Sequence, residues 1–317
     1  MERIAVRVYH RTRAAKDIVH LDLRPEAGGL LPPFEPGAHV DLLLSNGLIR
    51  QYSLVGNPDD LTHYEVAVSL APDGRGGSAF VHEALLEGTA LEISPPRNNF
   101  ALKPGAKQYV LIAGGIGITP VLAMARHCQK NGLDWRLLYL ARSRAHAAFC
   151  DVLAALDPTK LQFHFDDEQG CFFDFSAELL QVEEGSAIYC CGPDPVMQSV
   201  ARFAQTQPGV TAHFEWFSPP AEPPVHAPDM AFTVKLATSG ASFEVPEGRS
   251  ILEVLEDNGY EMSCSCRAGM CRTCETPVME GVPDHRDYVL SAEECERGRS
   301  IMICVSRSQT PILVLDL

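Results

Sequence analysis

The sequence contains no run of eighteen apolar residues, the length that a membrane-spanning helix needs. Its first stretch, MERIAVRVYHRTRAAKD, has basic residues but no apolar segment, so a secretory signal is not expected. Lys and Arg are few, 26 against 41 Asp and Glu, which gives a net charge of −15. This charge disfavours nucleic acid and anionic membrane surfaces as partners. We therefore expect a cytoplasmic protein that binds neither.

Cysteine is sparse in most of the chain and concentrated near its end. The total of eleven is odd, and structural disulfides are rare in the reducing cytoplasm. Four cysteines fall in the stretch SCSCRAGMCRTC, residues 263–274. The concentration indicates a metal or cluster site, and a disulfide framework is disfavoured.

The spacing of these cysteines distinguishes the possible sites. Zinc sites usually combine two C-x2-C or His pairs. Here the pattern is C-x4-C-x2-C followed by another cysteine after twenty-nine residues, which is the plant-type [2Fe-2S] spacing. The predicted ligands are Cys266, Cys271, Cys274 and Cys304.

The loop between the first two predicted ligands is small enough to wrap a cluster. Ala268 and Gly269 leave its backbone free of bulk where it must approach inorganic sulfide. Cys264 and Cys295 fall outside the spacing. Zinc, or reduced cysteines without metal, remain as alternatives.

Changes in composition divide the chain into domains. Five prolines in residues 217–229 are typical of an extended spacer. Residues 1–103 contain four short runs rich in Val, Leu and aromatics, a pattern that predicts an antiparallel β-barrel. Residues 104–217 alternate apolar strands with amphipathic helices, which predicts a parallel, doubly wound α/β sheet. We expect a linker over 218–229 and a third domain over 230–317, which begins with a β-hairpin and a helix.

The motif RQYSL in the predicted barrel has the side chains that a flavin site needs. The guanidinium of Arg50 can bind a phosphate as a fork. The Tyr52 ring can lie against an isoalloxazine, and the Ser53 hydroxyl can hydrogen-bond its N5 edge. An ordinary amphipathic strand would also show this motif.

A second stretch, GRGGSAFVHEAL, predicts a phosphate-binding turn. Gly76, Gly77 and Ser78 lead into a predicted helix, and we expect Ser78 to open it. Free amides and the helix dipole at such a start favour a phosphate. A simple glycine turn is the alternative.

The stretch LIAGGIGITP lies at a strand-to-helix turn of the predicted α/β sheet. It differs from the G-x-G-x-x-G dinucleotide fingerprint because Pro120 occupies the third glycine position. A second turn, CGPDPVM, follows another predicted strand of the same sheet. Each could be a tight turn alone, but two such turns on one sheet favour a nucleotide site.

The order of these motifs resembles that of the phthalate dioxygenase reductase and vanillate demethylase reductase family. The C-terminal stretch CRAGMCRTCETPVMEGVPDHRDYVL resembles the ferredoxin module of that family, and the similarity extends over essentially all 317 residues. One departure is Arg272, where the family commonly has glycine. The departure leaves the ligands unaffected but changes the charge beside the cluster.

The resemblance implies three cofactors, FMN, NADH and a [2Fe-2S] cluster, and a β-grasp fold for the third domain. The FMN phosphate would lie on the Gly-Gly-Ser turn and Arg50, and Thr119 would face the flavin N5 together with Ser53. Phe217, at the end of HFEWFS, would lie near the flavin, unless it is only a core aromatic. The residues implied for NADH are Gly114, Gly115, Gly117, Thr119, Pro120, Cys191, Gly192 and Pro193.

The choice between NADH and NADPH depends on a few charges. Arg142, at the end of the predicted strand WRLLYLAR, could accept a 2′-phosphate. Asp166 and Asp167, at the end of the next predicted strand, would repel one. Because the resembled enzymes use NADH, we expect NADH.

These expectations combine into one function. NADH donates two electrons as a hydride, a [2Fe-2S] cluster accepts one, and flavin can mediate between them. The resemblance implies the reductase component of a two-component Rieske non-haem iron oxygenase, in a transient complex with that oxygenase. A reductase for another acceptor, such as a cytochrome P450, and an iron–sulfur redox sensor are the alternatives.

Overall fold

The structure is a computed structural model that describes residues 2–72, 74–175, 181–219 and 228–317. These residues form two compact units, Met1–Glu215 and Trp216–Leu317. Most of the predicted linker, residues 220–227, lies outside the described residues. Within the described ranges, no helix is long and apolar enough to cross a membrane.

The first unit begins with a six-stranded antiparallel sheet in the order β4-β3-β6-β1-β2-β5. Its strands are β1 (Ile4–Ala15), β2 (Ile18–Pro25), β3 (His39–Leu43), β4 (Ile49–Ser53), β5 (Tyr64–Ser69) and β6 (Ala90–Ile93). The outer strands meet at the bridge pair Leu54–Val66, so the sheet curls into a barrel. Val6 and Val8 of β1 alternate with exposed residues and are fully buried, as a strand with one inward face requires. The predicted β-barrel is confirmed.

Helix α1 (Gly77–Ala84) packs against the barrel core through Val81. The prediction that Ser78 opens the helix is wrong. Gly76 is the N-cap and has a φ of 77°, a left-handed conformation that glycine adopts without strain. The Ser78 hydroxyl instead accepts a hydrogen bond from the backbone N–H of Ala71 at 3.1 Å.

The second half of this unit is a five-stranded parallel sheet in the order β11-β10-β7-β8-β9. Its strands are β7 (Tyr109–Gly114), β8 (Trp135–Ala141), β9 (Leu161–Phe165), β10 (Ala187–Cys191) and β11 (Thr211–Glu215). Its helices are α2 (Ile118–Lys130), α3 (Cys150–Leu156), α4 (Asp166–Gln169) and α5 (Asp194–Gln205). Strands β7 and β10 are buried throughout, as expected for a sheet with covered faces. The predicted doubly wound α/β fold is confirmed.

The barrel and the parallel sheet pack as one unit. Ile18, Val55 and Ala67 of the barrel share a hydrophobic core with residues of α2. The Arg126 guanidinium of α2 donates to the Val55 carbonyl at 2.7 Å. This contact fixes α2 against the end of β4, where the motif RQYSL lies.

The second unit has a mixed five-stranded sheet in the order β13-β12-β18-β14-β16 and a separate pair, β15 and β17. Its strands are β12 (Phe232–Leu236), β13 (Ser242–Val245), β14 (Glu275–Glu280), β15 (Pro283–Asp284), β16 (Ser300–Met302), β17 (Arg307–Ser308) and β18 (Ile312–Leu315), and its helices are α6 (Ile251–Asp257) and α7 (Ala292–Arg297). Ser250 caps α6 in a reciprocal capping box with Glu253. The antiparallel β12–β13 hairpin, the parallel β12–β18 pair and α6 form the predicted β-grasp fold, which is confirmed.

Candidate functional site

The start of α1 and the motif arginine form a positively charged turn. Arg50 Nη2 donates to the Arg75 carbonyl at 2.8 Å. A Cβ atom on Gly77 would lie 2.4 Å from Arg50 Nε, so only glycine permits this approach. Burial and then the charge of Arg75 lower the pKa of Arg50, which remains charged because a guanidinium does not deprotonate in proteins. Two guanidinium groups beside a helix N-terminus fit a phosphate.

The other predicted flavin residues lie on the same strand. Tyr52 is half-buried against the barrel core, and burial raises its pKa to about 12, so its phenol is neutral. Ser53 is 4% exposed and ends β4. Of the turn residues, Gly76 is exposed, and the hydroxyl of Ser78 is engaged by Ala71. The turn therefore offers backbone amides and arginines to an anion.

Ser53 contacts a carboxyl group that the sequence analysis does not predict. The Ser53 hydroxyl lies 3.3 Å from Glu215 Oε2, to which it donates a hydrogen bond. Burial raises the pKa of Glu215 to about 8. Glu215 ends β11 and is in register with Cys191 at the end of β10, so Ser53, Cys191 and Glu215 meet at the carboxyl edge of the sheet. The sequence signal was a carboxylate at the end of a strand, in HFEWFS.

The two predicted nicotinamide turns are pressed against each other. A Cβ on Gly114 would lie 2.5 Å from Pro193 Cδ, and one on Gly192 would lie 3.0 Å from the Gly114 Cα. A Cβ on Gly117 would lie 2.1 Å from the Cys191 carbonyl oxygen. These glycines allow β7 and β10 to end side by side, and such an edge is where open α/β sheets bind ligands.

The remaining residues of the first turn differ in their exposure. Gly115 has a φ of 56° and open space where a side chain would lie. Thr119 is only 2% exposed, and its hydroxyl donates to the Ile116 carbonyl at 3.0 Å. Pro120 is buried within α2. In this structure the Thr119 hydroxyl therefore stabilises the turn, and its predicted position toward the flavin N5 stays a prediction.

The charged residues that we expect to select the coenzyme lie close together. Arg142 follows β8 and is exposed, and its carbonyl accepts a hydrogen bond from the Asp167 N–H at 3.1 Å. Strand β9 ends at Phe165, so Asp166 and Asp167 belong to the first turn of α4 and do not end the strand as predicted. This edge of the sheet therefore carries the positive charge of Arg142 and the negative charges of Asp166 and Asp167.

Phe217 belongs to the second unit and is 46% exposed. Its predicted position near the flavin stays a prediction.

The four cysteines predicted as ligands from their spacing lie together in the second unit. Thiol–thiol hydrogen bonds join Cys266 to Cys271 and Cys304, and Cys274 to Cys304. Cys264, which the spacing leaves outside the site, is also in contact, because its thiol bonds to those of Cys274 and Cys304. The site therefore contains five thiols, although the spacing predicts four.

The loop around these thiols has a left-handed backbone conformation and close contacts at Gly269. Gly269 has a φ of 68°, and a Cβ there would lie 2.7 Å from Val305 Cγ2 and 2.9 Å from the Asp287 Cα. The backbone N–H groups of Ala268 and Met270 both donate to Cys266 Sγ at 3.4 Å. The loop thus wraps a ligand sulfur with its amides.

Arg272 occupies the position where glycine is common in the family. Its φ of 56° explains that preference, because the left-handed region is strained for other residues. Its guanidinium donates to Glu294 Oε2 at 2.8 Å and to the Val289 carbonyl at 3.0 Å. The hydrogen bond from Arg272 lowers the pKa of Glu294 to about 2. The side chain thereby ties the cysteine loop to α7.

The arrangement fits a [2Fe-2S] cluster. Such a cluster takes two thiolates on each iron, and the thiol contacts include the pairs Cys266–Cys271 and Cys274–Cys304, besides a contact between Cys266 and Cys304. The Ser265 hydroxyl is buried and has no hydrogen-bond partner among the described residues, so it could donate to an inorganic sulfide. Over the ranges that the structure describes, no three His, Cys, Asp or Glu side chains have the geometry of a single-ion site, as zinc would need.

Comparison with known proteins identifies the family. Residues 234–309 match the family model of the 2Fe-2S iron-sulfur cluster binding domain. Residues 89–212 match that of the dimethylamine monooxygenase subunit DmmA-like, N-terminal domain. Phthalate dioxygenase reductase of Burkholderia cepacia is 39% identical over 317 residues, which cover 99% of this chain and 97% of the relative. The chain belongs to the phthalate dioxygenase reductase family.

The solved structure of phthalate dioxygenase reductase agrees with this membership, with a TM-score of 0.72 and 39% identity over 99% of this chain and 98% of that one. Tetrachlorobenzoquinone reductase of Sphingobium chlorophenolicum is 42% identical over 311 residues, 96% of this chain and 95% of the relative. The predicted family and enzyme class, an NADH-dependent iron–sulfur flavoprotein oxidoreductase, are confirmed. With the family come the predicted cofactors, FMN, NADH and a [2Fe-2S] cluster.

One solved structure is from a different kind of assembly. The intact type IV self-sufficient cytochrome P450 monooxygenase is 35% identical, with a TM-score of 0.93. The match covers 99% of this chain but 41% of the monooxygenase chain. The reductase fold of this family thus also occurs within a P450 protein.

Proposed function

We propose that this protein is the reductase component of a Rieske non-haem iron oxygenase and delivers electrons from NADH to that partner. When bound, FMN and the [2Fe-2S] cluster supply the conversion of a two-electron donor into one-electron steps. The observation that carries the proposal is that one chain holds two kinds of site. Its first unit has a charged turn that fits a phosphate and two closely packed glycine turns, and its second unit has a paired set of thiols.

The residues of the first unit would bind and orient the flavin and the dinucleotide. Arg50 and the amides at the start of α1 would hold the FMN phosphate. The glycine turns at the ends of β7 and β10 would let the dinucleotide approach the backbone. Ser53 and a Glu215 that keeps its proton at neutral pH give the adjoining surface a neutral, hydrogen-bonding character. No side chain of this set needs to act as a nucleophile.

The second unit would hold the cluster through Cys266, Cys271, Cys274 and Cys304, with Ser265 and the loop amides donating to sulfur. Residues 230–317 contain eight Lys and Arg against fourteen Asp and Glu, a net charge of −6. An acidic carrier favours a partner with a basic docking surface. We therefore expect coupled turnover to fall as salt rises.

The decisive experiment is reconstitution. The purified protein should contain FMN, iron and sulfide, and NADH should support product formation only when the purified oxygenase is added. Cys271→Ala is the matched control, because it should keep NADH-dependent flavin reduction and lose delivery to the oxygenase. Stoichiometric FAD, or an oxygenase that turns over equally well with Cys271→Ala, would contradict the proposal.

A second candidate function is electron delivery to a cytochrome P450, which the similarity to the self-sufficient P450 monooxygenase favours. The same preparation tests it. Faster reduction of a purified P450 than of the oxygenase encoded near this gene would favour the P450 function.

A further inference from the structure

The fifth thiol of the cysteine cluster, that of Cys264, lies on one side of it. Cys264 is half-buried and packs against the core of the second unit. Its thiol bonds to those of Cys274 and Cys304. Cys271, by contrast, bonds to Cys266. The fifth thiol is therefore grouped with one of the two ligand pairs.

This grouping has a consequence for metal binding. Two thiolates on one tetrahedral iron lie in van der Waals contact with each other. A third thiol that touches both Cys274 and Cys304 is consequently within reach of the iron that this pair would share. The loop amides of Ala268 and Met270 meanwhile donate to Cys266. Because Cys271 bonds to Cys266, these two cysteines are the ligands that the other iron would share.

We propose that Cys264 is a reserve ligand, able to replace Cys274 or Cys304 on their shared iron but unable to replace Cys271. The inference rests on the proposed cluster site and adds a residue that the C-x4-C-x2-C spacing excludes. In the intact protein Cys264 is a spare thiol beside the cluster. When either neighbouring ligand is lost, it completes the four thiolates.

The test compares alanine variants, because serine could itself ligate iron. Cys304→Ala and Cys274→Ala should each retain iron and sulfide near wild-type content, with an electron paramagnetic resonance signal whose g values are shifted. Cys264→Ala/Cys304→Ala should lose more than about nine-tenths of the iron. Cys295→Ala/Cys304→Ala is the matched control, since Cys295 lies on α7, and it should behave like Cys304→Ala. Cys271→Ala should lose the cluster whether or not Cys264 is present.

Each preparation is analysed as purified and after treatment with ferrous iron and sulfide. Circular dichroism verifies that a variant is folded, and NADH-dependent flavin reduction verifies that its first unit is intact. Loss of iron from folded Cys304→Ala and Cys274→Ala, to the level of Cys271→Ala, would overturn the reserve ligand and leave the proposed function intact. Wild-type protein that binds no iron or sulfide would overturn both. A cluster lost in Cys264→Ala but kept in Cys266→Ala would show Cys264 to be a principal ligand and overturn its reserve role.

Discussion

The Ser53 hydroxyl donates a hydrogen bond to Glu215 over 3.3 Å, although the two residues lie 162 positions apart in the chain. Ser53 ends a barrel strand, and Glu215 ends the outermost strand of the parallel sheet. The contact joins the predicted flavin strand to the edge where the nicotinamide turns lie. A partly buried carboxyl at this junction makes the first unit sensitive to pH.

The stability of the first unit should fall between about pH 5 and pH 8.5 because of Glu215. Burial raises its pKa from 4.5 to about 8. The folded protein thus holds this proton more tightly than the unfolded chain, so the stabilisation is full below 4.5 and is lost as pH rises through about 8. Glu215→Gln cannot ionise, and its melting temperature should change less over that interval. Exposed Glu83→Gln is the control and should follow the wild type. Superimposable curves for all three proteins would refute the prediction.

Arg50→Ala should weaken FMN binding. A lost hydrogen bond to a charged group costs about 1.5–3 kcal/mol, or roughly ten- to a hundredfold in Kd. Fluorescence titration of flavin-free protein measures this change, and the iron–sulfur absorbance should remain. Arg50→Lys should recover part of the affinity because it restores charge without the guanidinium fork.

Arg3→Ala is the control for Arg50, because Arg3 forms an exposed ion pair with Glu92 on the barrel. Such pairs contribute at most about 1 kcal/mol to stability. Equal FMN retention by Arg3→Ala and Arg50→Ala would exclude Arg50 as the phosphate ligand.

The elements with strong local signals are predicted correctly from the sequence. Strand β7 is six buried residues in a row that end in glycine, and α6 has its Ser250 cap followed by an apolar periodicity. The β1–β2 hairpin is not identified, because most exposed residues of β1 are polar or charged and its turn at Asp17 has no glycine. There the register with neighbouring strands, which is a tertiary effect, decides the structure.

The candidate site shows the same contrast between residues with a local sequence signal and residues placed by tertiary contacts. Spacing along the chain identifies the four thiols that could wrap a cluster, since the loop lengths are local. Cys264 does not fit that spacing. It belongs to the site only because the folded chain brings its thiol into contact with those of Cys274 and Cys304. Glu215 lies in an aromatic stretch with no motif of its own, and its role depends on the distant Ser53. Contacts between remote segments leave no periodic signal in either segment.

Gly117→Ala should impair NADH use. The added Cβ would lie 2.1 Å from the Cys191 carbonyl oxygen, a backbone atom that no rotamer change can move. The ends of β7 and β10 would separate, and misplacement of this size should lower kcat/KM for NADH by roughly ten- to a hundredfold. Ferricyanide reduction at varied NADH measures the effect.

Gly132→Ala, at the other end of α2, is the matched control for Gly117→Ala. Gly132 has a φ of 63° and open space around it, so alanine there costs only the left-handed strain, roughly 1–2 kcal/mol. Its melting temperature should fall while its KM for NADH stays unchanged. Equal kinetic losses in the two variants would show that the Gly117 contact is not specific to the nucleotide site.

The protein should prefer NADH to NADPH by more than about tenfold, which corresponds to about 1.4 kcal/mol. A 2′-phosphate near Arg142 would also meet the first turn of α4, where Asp166 and Asp167 lie. Asp167→Asn should therefore increase kcat/KM for NADPH and leave that for NADH unchanged. Arg142→Ala should lower the NADPH value further. Comparable values for the two coenzymes in the wild type would mean that Arg142 outweighs both carboxylates.

Arg272→Gly should make the cluster harder to reduce. Arg272 follows the predicted ligand Cys271, and charge near an iron–sulfur cluster contributes to its potential. Removing a cation destabilises the reduced cluster, so the midpoint potential in a spectroscopic redox titration should become more negative.

The same substitution, Arg272→Gly, has two opposing effects on stability. It removes the left-handed strain at φ 56°, roughly 1–2 kcal/mol, but loses the charged hydrogen bond to Glu294, about 1.5–3 kcal/mol. The second effect is the larger, so the unit should be slightly less stable. Arg297→Ala is the control for the redox potential. It breaks an exposed ion pair with Glu293 within α7 and should leave the midpoint potential unchanged. A potential that stays constant in Arg272→Gly, or shifts equally in Arg297→Ala, would mean that the guanidinium of Arg272 ties the loop to α7 without tuning the cluster.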